Sequence, residues 1–142
     1  MKLRRDVDPA TLNARSAGRL PEWFGLDVVR LAARELAMQV RIQPHMLAPN
    51  GFLHAATVIA LADTACGFAT IAHLPDGAES FTTVELKCNF LGTATEGLLE
   101  AVAAGAHLGR TTQVWDANVR EVAGGRTLAL FRCTQLVLWP KR

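Results

Sequence analysis

The run from His54 to Leu74 is almost wholly apolar, and Asp63 is the single formal charge between His54 and His73. Its Ala, Leu and Ile content favours helix. Pro49-Asn50-Gly51 before it and Pro75-Asp76-Gly77 after it are turn and breaker signals. A helix of this length is about 30 Å long. Its apolar positions fall all round the helical wheel, so burial on nearly every side is expected. The length also matches a membrane span, but a mid-span carboxylate costs roughly 3 kcal/mol or more. No Lys or Arg closely flanks the run, and the rest of the chain reads as soluble strands. A core helix is therefore expected, with no membrane partner. A buried carboxylate without a partner is expensive. Asp63 is either a structural acid or a functional one, and the functional reading is preferred.

The chain has 142 residues, half of them hydrophobic, which suits one domain over residues 1–142 with a sizeable core. A formal charge of +2 excludes a nucleic-acid binder of the usual basic kind. Lys2, Arg4 and Arg5 read as a solvated tail. The first residues carry no apolar signal region, so a cytoplasmic protein is expected. Cys66, Cys88 and Cys133 are odd in number, widely spaced and set in apolar surroundings. That pattern argues against a disulfide framework and against a zinc site; no metal is expected.

Asp8-Pro9 suits a helix start, with a short helix to about Ala17 ended by Gly18 and Pro21. Pro21 to Phe24 reads as a turn that packs aromatics on the core. Residues 1–24 thus form a helical extension. Val28–Ala33 and Leu36–Ile42 read as a hairpin, although Leu31–Ala37 is equally helical by propensity. Gln43–Leu53 is a loop with two prolines. In Phe81–Phe90, Val84, Leu86, Cys88 and Phe90 alternate with Thr83, Glu85, Lys87 and Asn89, as in a strand with one buried face. Gly92 and Gly97 bracket a break, and a further strand runs from Leu98 to His107. In Thr111–Val122, Gln113, Trp115, Ala117 and Val119 share a side. Ala123-Gly124-Gly125 is a hairpin signal before a last strand from Thr127 to about Trp139. Short connections suit antiparallel neighbours, so the expected class is α+β, with an antiparallel sheet packed on one helix, residues 54–74.

Gly51-Phe52-Leu53-His54-Ala55-Ala56 followed by Leu61-Ala62-Asp63-Thr64-Ala65 resembles the G-x-x-H-G-G…L-A-D-x-A pattern of hotdog-fold acyl-CoA thioesterases, in the flavour of the phenylacetate-degradation (PaaI-like) group. Thr83–Leu91 and Gly109–Asp116 are similar to the same group. The resemblance runs from about residue 25 to the C-terminus. It implies an antiparallel sheet of about five to six strands wrapped around one long central helix. Two departures stand out. Ala55 and Ala56 replace the two glycines, which leaves a backbone donor but adds methyl groups. Relatives also often place an Asn six residues before the histidine; that position is Ala48, and the nearest Asn is Asn50.

Thioester hydrolysis needs donors for a developing oxyanion and a carboxylate that activates water or attacks directly. Ala55 and Ala56 lie at a helix N-terminus, where N–H groups are free. Asp63 lies eight residues beyond Ala55, about 12 Å along the axis and about 80° round it. One thioester cannot touch both within one chain. A two-fold axis between antiparallel helices brings each helix start to the partner's Asp63, so a homodimer with shared sites is expected, and it could pair further into a tetramer.

The resemblance assigns Thr83 to a hydroxyl position that assists the attacking water; a plain strand residue is the alternative. His54 either caps the helix or takes part in the site, and Asn50 either positions substrate or supplies a turn. Phe68 suggests an apolar acyl tunnel. Arg110 and Lys87 are possible contacts for coenzyme A phosphates or simply solvated charges. Coenzyme A enters only as part of the substrate, with no separate cofactor. The competing readings are a hotdog hydratase or dehydratase and a non-catalytic acyl-CoA-binding module.

Overall fold

His54 starts the helix around which the strands are laid. The computed structural model describes residues 2–141, and places this helix, α3, at Ala55–Ala72. Two short helices precede it, α1 (Pro9–Ala14) and α2 (Leu20–Phe24). Six strands complete the fold: β1 (Asp27–Ala32), β2 (Glu35–Arg41), β3 (Ser80–Phe90), β4 (Leu98–Leu108), β5 (Thr112–Glu121) and β6 (Thr127–Leu138). They form one antiparallel sheet in the order β1-β2-β4-β5-β6-β3. This is the sheet-around-a-helix architecture expected.

The sheet receives α3 through small residues. Ala62, Ala65, Ala69 and Ala72 are fully buried and let the strands approach closely. Leu36, Met38, Leu99, Trp115, Val119 and Phe131 fill the interface from the sheet side. The alternation read in β5 is the one found: Gln113, Trp115, Ala117 and Val119 are all buried.

One sheet covers one side of a helix, and here two expectations need correction. Burial of α3 on nearly every side is not seen: Ile59, Ala60, Asp63, Thr64, Phe68 and Ile71 form a half-buried stripe, and Ala55 and Ala56 are exposed. Nor does β3 have a buried face within the chain. It is a sheet edge, and Val84, Leu86 and Phe90 are 57%, 40% and 47% exposed. Its alternation is also interrupted. A bulge between Thr83 and Glu85 leaves Thr83 opposite Gln135 and Leu86 opposite Cys133. Gln135 and Cys133 both point into the core, so Thr83 shares the helix-facing side with Leu86 instead of opposing it.

The N-terminal segment differs in detail. Asp8 caps α1 as expected, accepting from Thr11 N at 2.7 Å while Thr11 Oγ1 accepts from Asp8 N at 2.9 Å. The helix ends at Ala14, short of Ala17, and α2 is a helix where a turn was expected. Of its aromatics, Phe24 packs on the core, whereas Trp23 is 70% exposed.

The β1–β2 hairpin prevails over the helical alternative because its turn is tied to the far end of α3. Arg34 adopts φ 62°, and its N–H donates to His73 Nε2 at 2.9 Å. His73 Nδ1 in turn donates to the Ala69 carbonyl at 2.8 Å. Gln113 Nε2 donates to the His73 carbonyl and Trp115 Nε1 to Gln113 Oε1, at 2.9 and 3.0 Å. The ring thus needs a bare Nε2, so it is neutral. Burial pushes its pKa below the ordinary 6.5, against the Ala69 bond, which pulls upward.

This joint makes the fold acid-sensitive. The neutral ring's stabilisation is complete above 6.5 and is lost as pH falls from there toward the lower folded-state value. The urea midpoint of the wild type should drop between about pH 7.5 and about pH 5.5. His73→Gln should start about 1–3 kcal/mol less stable, through the Arg34 N–H it leaves poorly paired, and should lose less on acidification. An unchanged pH dependence in that variant would assign the effect to other groups.

Candidate active site

Asp63 sits in the middle of α3, on the stripe the sheet leaves uncovered. Beside it lies a cavity of about 380 Å³ between α3 and the start of β3. Asp63, Thr64, Phe68 and Ile71 line it from the helix, Phe81 and Thr83 from the strand, and Pro21 from α2. Gly67 permits the close approach of that strand: a methyl group there would lie 3.2 Å from the Phe81 ring. Phe81 and Thr83 face this cavity from the stretch just before the bulge, which keeps Leu86 on the same side of the strand.

The carboxylate is unusual in its surroundings. Asp63 Oδ1 is buried and has no hydrogen-bond partner among the described residues. Burial holds its pKa above the ordinary 3.8. Native structures rarely leave such an oxygen unpaired, which singles this carboxylate out. Thr83 is differently placed: its Oγ1 donates to Gln135 Oε1 at 2.9 Å across the β3–β6 pair. Cys66, one turn along α3, is no nucleophile. Cys133 and burial together raise its thiol well above 9.0. No three His, Cys, Asp or Glu side chains gather as metal ligands among the described residues.

The other sequence-predicted residues lie at the start of α3. His54 is its N-cap, and His54 Nδ1 accepts from Ala56 N at 2.9 Å. The Ala56 N–H is therefore occupied, while the exposed Ala55 N–H has no partner among the described residues. Because Nδ1 accepts, the neutral imidazole carries its proton on Nε2. Asn50 Oδ1 accepts from Phe52 N at 3.2 Å, closing its own turn, and Ala48 N donates to the Phe52 carbonyl at 2.7 Å. Within one chain, the Asp63 cavity includes none of His54, Ala55, Ala56 or Asn50.

Lys87 and Arg110 stand apart from both groups. Lys87 pairs with Arg132 and opens onto a hollow on the outer face of the sheet, shared with Asp116, Asn118 and Leu130. The Arg110 guanidinium lies 4.7 Å from the centre of the Trp139 ring, and Trp139 Nε1 donates to the Arg110 carbonyl. The structure thus gathers Asp63, Phe68 and Thr83 and leaves the helix start at a separate end. Sequence reasoning missed Pro21, Ile71, Phe81 and Gln135. For Gln135 a signal existed: with Cys133 and Val137 it follows a period-two pattern, a polar residue at a core-facing position.

Known proteins share both sequence and architecture with this chain. The sequence model of the thioesterase superfamily matches residues 50–129, more than half of the chain. A 1,4-dihydroxy-2-naphthoyl-CoA hydrolase from Listeria monocytogenes is 28% identical over 116 residues, covering 81% of this chain and 92% of the relative. A proofreading thioesterase, EntH, from Cronobacter turicensis is 28% identical over 123 residues, covering 87% and 89%. The crystal structure of a mutant thioesterase from Pseudomonas aeruginosa superposes with a TM-score of 0.90 at 25% identity, covering 97% of this chain and 99% of that one. The Escherichia coli PaaI protein of the phenylacetic acid degradation operon shares the fold, with a TM-score of 0.80 at 22% identity and coverage of 92% and 91%. The chain accordingly belongs to the thioesterase superfamily, as a thioester hydrolase built on the hotdog fold.

Proposed function

We propose that the protein is an acyl-CoA thioesterase that hydrolyses an aryl or medium-chain acyl-CoA to the free acid and coenzyme A. The observation that carries the reading is the half-buried carboxylate of Asp63, one oxygen of it buried and without a partner among the described residues, on an apolar cavity. A carboxylate in that setting is a stronger base than one in water, and it is held beside the space where an acyl group fits. Phe68, Phe81 and Ile71 supply the apolar lining, and the aromatic acyl group named for the Listeria relative favours an aryl substrate. Coenzyme A belongs to the substrate, and water is the only other reactant.

The donor for the oxyanion comes from a second copy. β3 is an edge strand of eleven residues with exposed Val84, Leu86 and Phe90, a surface that invites pairing. Antiparallel pairing of two β3 strands brings the uncovered stripes of the two α3 helices together. The Ala55 N–H and the His54 Nε2–H of one protomer then approach Asp63 of the other. Asp63 acts as base or nucleophile, and the helix start polarises the thioester carbonyl. A dehydratase would need its histidine to take up a proton as base; with Nδ1 accepting from Ala56 N, the free Nε2 of His54 already carries the ring's proton.

With Asp63→Asn, thiol release from aryl- and alkyl-CoAs should fall about 10²–10⁴-fold. Thermal stability should rise, because a carboxylate whose folded-state pKa is elevated costs stability at every pH above its ordinary 3.8. Near-normal turnover in that variant would remove Asp63 from the mechanism. In the wild type, kcat/KM should decline on the acid side through an ionisation above 3.8. A profile flat down to about pH 4 would place the base elsewhere. Leu86→Lys, a charge on the proposed β3 seam, should yield a monomer in light scattering and lose turnover although Asp63 is intact. An active monomer would refute the shared site.

A further inference from the structure

We infer that Gln135, a residue outside the cavity, is a positioning residue that fixes the Thr83 hydroxyl as a proton acceptor and thereby aims the attacking water. The inference rests on the thioesterase reading above and assigns Asp63 the general-base role. Its basis is a chain of hydrogen bonds with one direction. Thr83 has a single hydroxyl proton and two lone pairs. The proton is donated to Gln135 Oε1 at 2.9 Å. The amide is held in that orientation from its other end, where Nε2 donates to Cys133 Sγ at 3.3 Å. Gln135 is fully buried, so its carbonyl has no water to exchange for the threonine proton. What Thr83 offers to the cavity it shares with Asp63 is therefore lone pairs only.

That direction matters chemically. A water between two acceptors, the Asp63 carboxylate and Thr83 Oγ1, gives one proton to each and keeps both of its lone pairs free. Were Thr83 the donor, it would tie up one of the two lone pairs and draw electron density from the oxygen that must attack. In the reaction, the water oxygen bonds to the thioester carbonyl carbon and its proton passes to Asp63. The C–S bond then breaks, and Asp63 returns the proton to the leaving thiolate. The sum is thioester plus water giving acid plus thiol, and Thr83 keeps its own proton throughout. The inward-facing threonine and the core-facing glutamine opposite it form one device: together they set a hydroxyl's polarity.

The test is steady-state thiol release by wild type, Thr83→Val, Thr83→Ser, Gln135→Met and the Thr83→Val/Gln135→Met double variant, with kcat and KM separated. Gln135→Met and Thr83→Val should each lower kcat by about tenfold or more, with KM within about twofold. The double variant should be no slower than Thr83→Val, since Gln135 acts only through that hydroxyl. Thr83→Ser, which retains the proton, should recover most of kcat. A second measurement serves if Gln135→Met does not fold: in the wild type, the Thr83 hydroxyl proton should exchange slowly enough to be seen by NMR. A Thr83→Val enzyme with wild-type kcat, a Gln135→Met loss that adds to the Thr83→Val loss in the double variant, or a fast-exchanging hydroxyl overturns this inference alone. Wild type inactive on every acyl-CoA overturns the thioesterase reading and this inference with it.

Discussion

A helix packed on a single sheet has a second side, and nearly everything functional here follows from what that side carries. The sheet covers α3 through Ala62, Ala65, Ala69 and the leucine-rich strands. The uncovered stripe holds the one charge of the helix, Asp63, together with Phe68 and Ile71. The sheet, for its part, ends in β3, whose outer edge is unpaired. Both unsatisfied surfaces border the same cavity. A second protomer covering them would exclude water from the carboxylate and supply the helix start that lies about 12 Å away within one chain.

Keeping a carboxylate oxygen buried and unpaired opposes folding, and the surrounding packing shows how the chain tolerates it. Each fully buried leucine or comparable side chain stabilises the fold by about 1.5–3 kcal/mol. Leu36, Met38, Leu61, Leu99, Leu128 and Trp115 are all in that condition. Against such a core, one strained ionisation is affordable, and it is confined to the side of α3 that the core does not use. The opposite pole of the helix is treated differently. There the His73 ring is bonded by Arg34 N and the Ala69 carbonyl, and Gln113 links the His73 carbonyl to Trp115 Nε1. One end of α3 is a closed polar joint, and its middle is a deliberately open one.

Much of this was legible because periodicity is a strong signal where burial is one-sided. The helix, the β4–β6 strands and the Gln113–Val119 face follow directly from spacing. The β1–β2 hairpin was readable only as one of two options, because Leu31–Ala37 suits either state. The decision comes from outside the segment, through the His73 bond to Arg34. α2 escaped because five residues are too few to show a period. The exposure of β3 escaped because alternation reports which residues share a face, not whether anything covers it. Asp63 was conspicuous as a lone charge, whereas Gln135 showed only as one polar residue at a core-facing position of a strand that otherwise reads as core.

The bulge at Val84 is where sequence pattern and structure conflict most usefully. With regular pleating, Phe81 and Thr83 would face α3 together with Glu85, Lys87 and Asn89. Two charges and an amide would then lie against the apolar stripe, and Leu86, Cys88 and Phe90 would face outward. Inserting one extra residue reverses the parity after Thr83. Phe81 and Thr83 stay inward to build the cavity, Leu86, Cys88 and Phe90 follow them inward, and Glu85, Lys87 and Asn89 turn out beside Thr134, Arg132 and Leu130. The apolar Phe81 and the apolar Leu86 are five residues apart, an odd interval that no unbroken strand can place on one face. That interval is the sequence trace of the bulge. It also lets a threonine line the Asp63 cavity at the head of a strand whose later apolar residues face the same side.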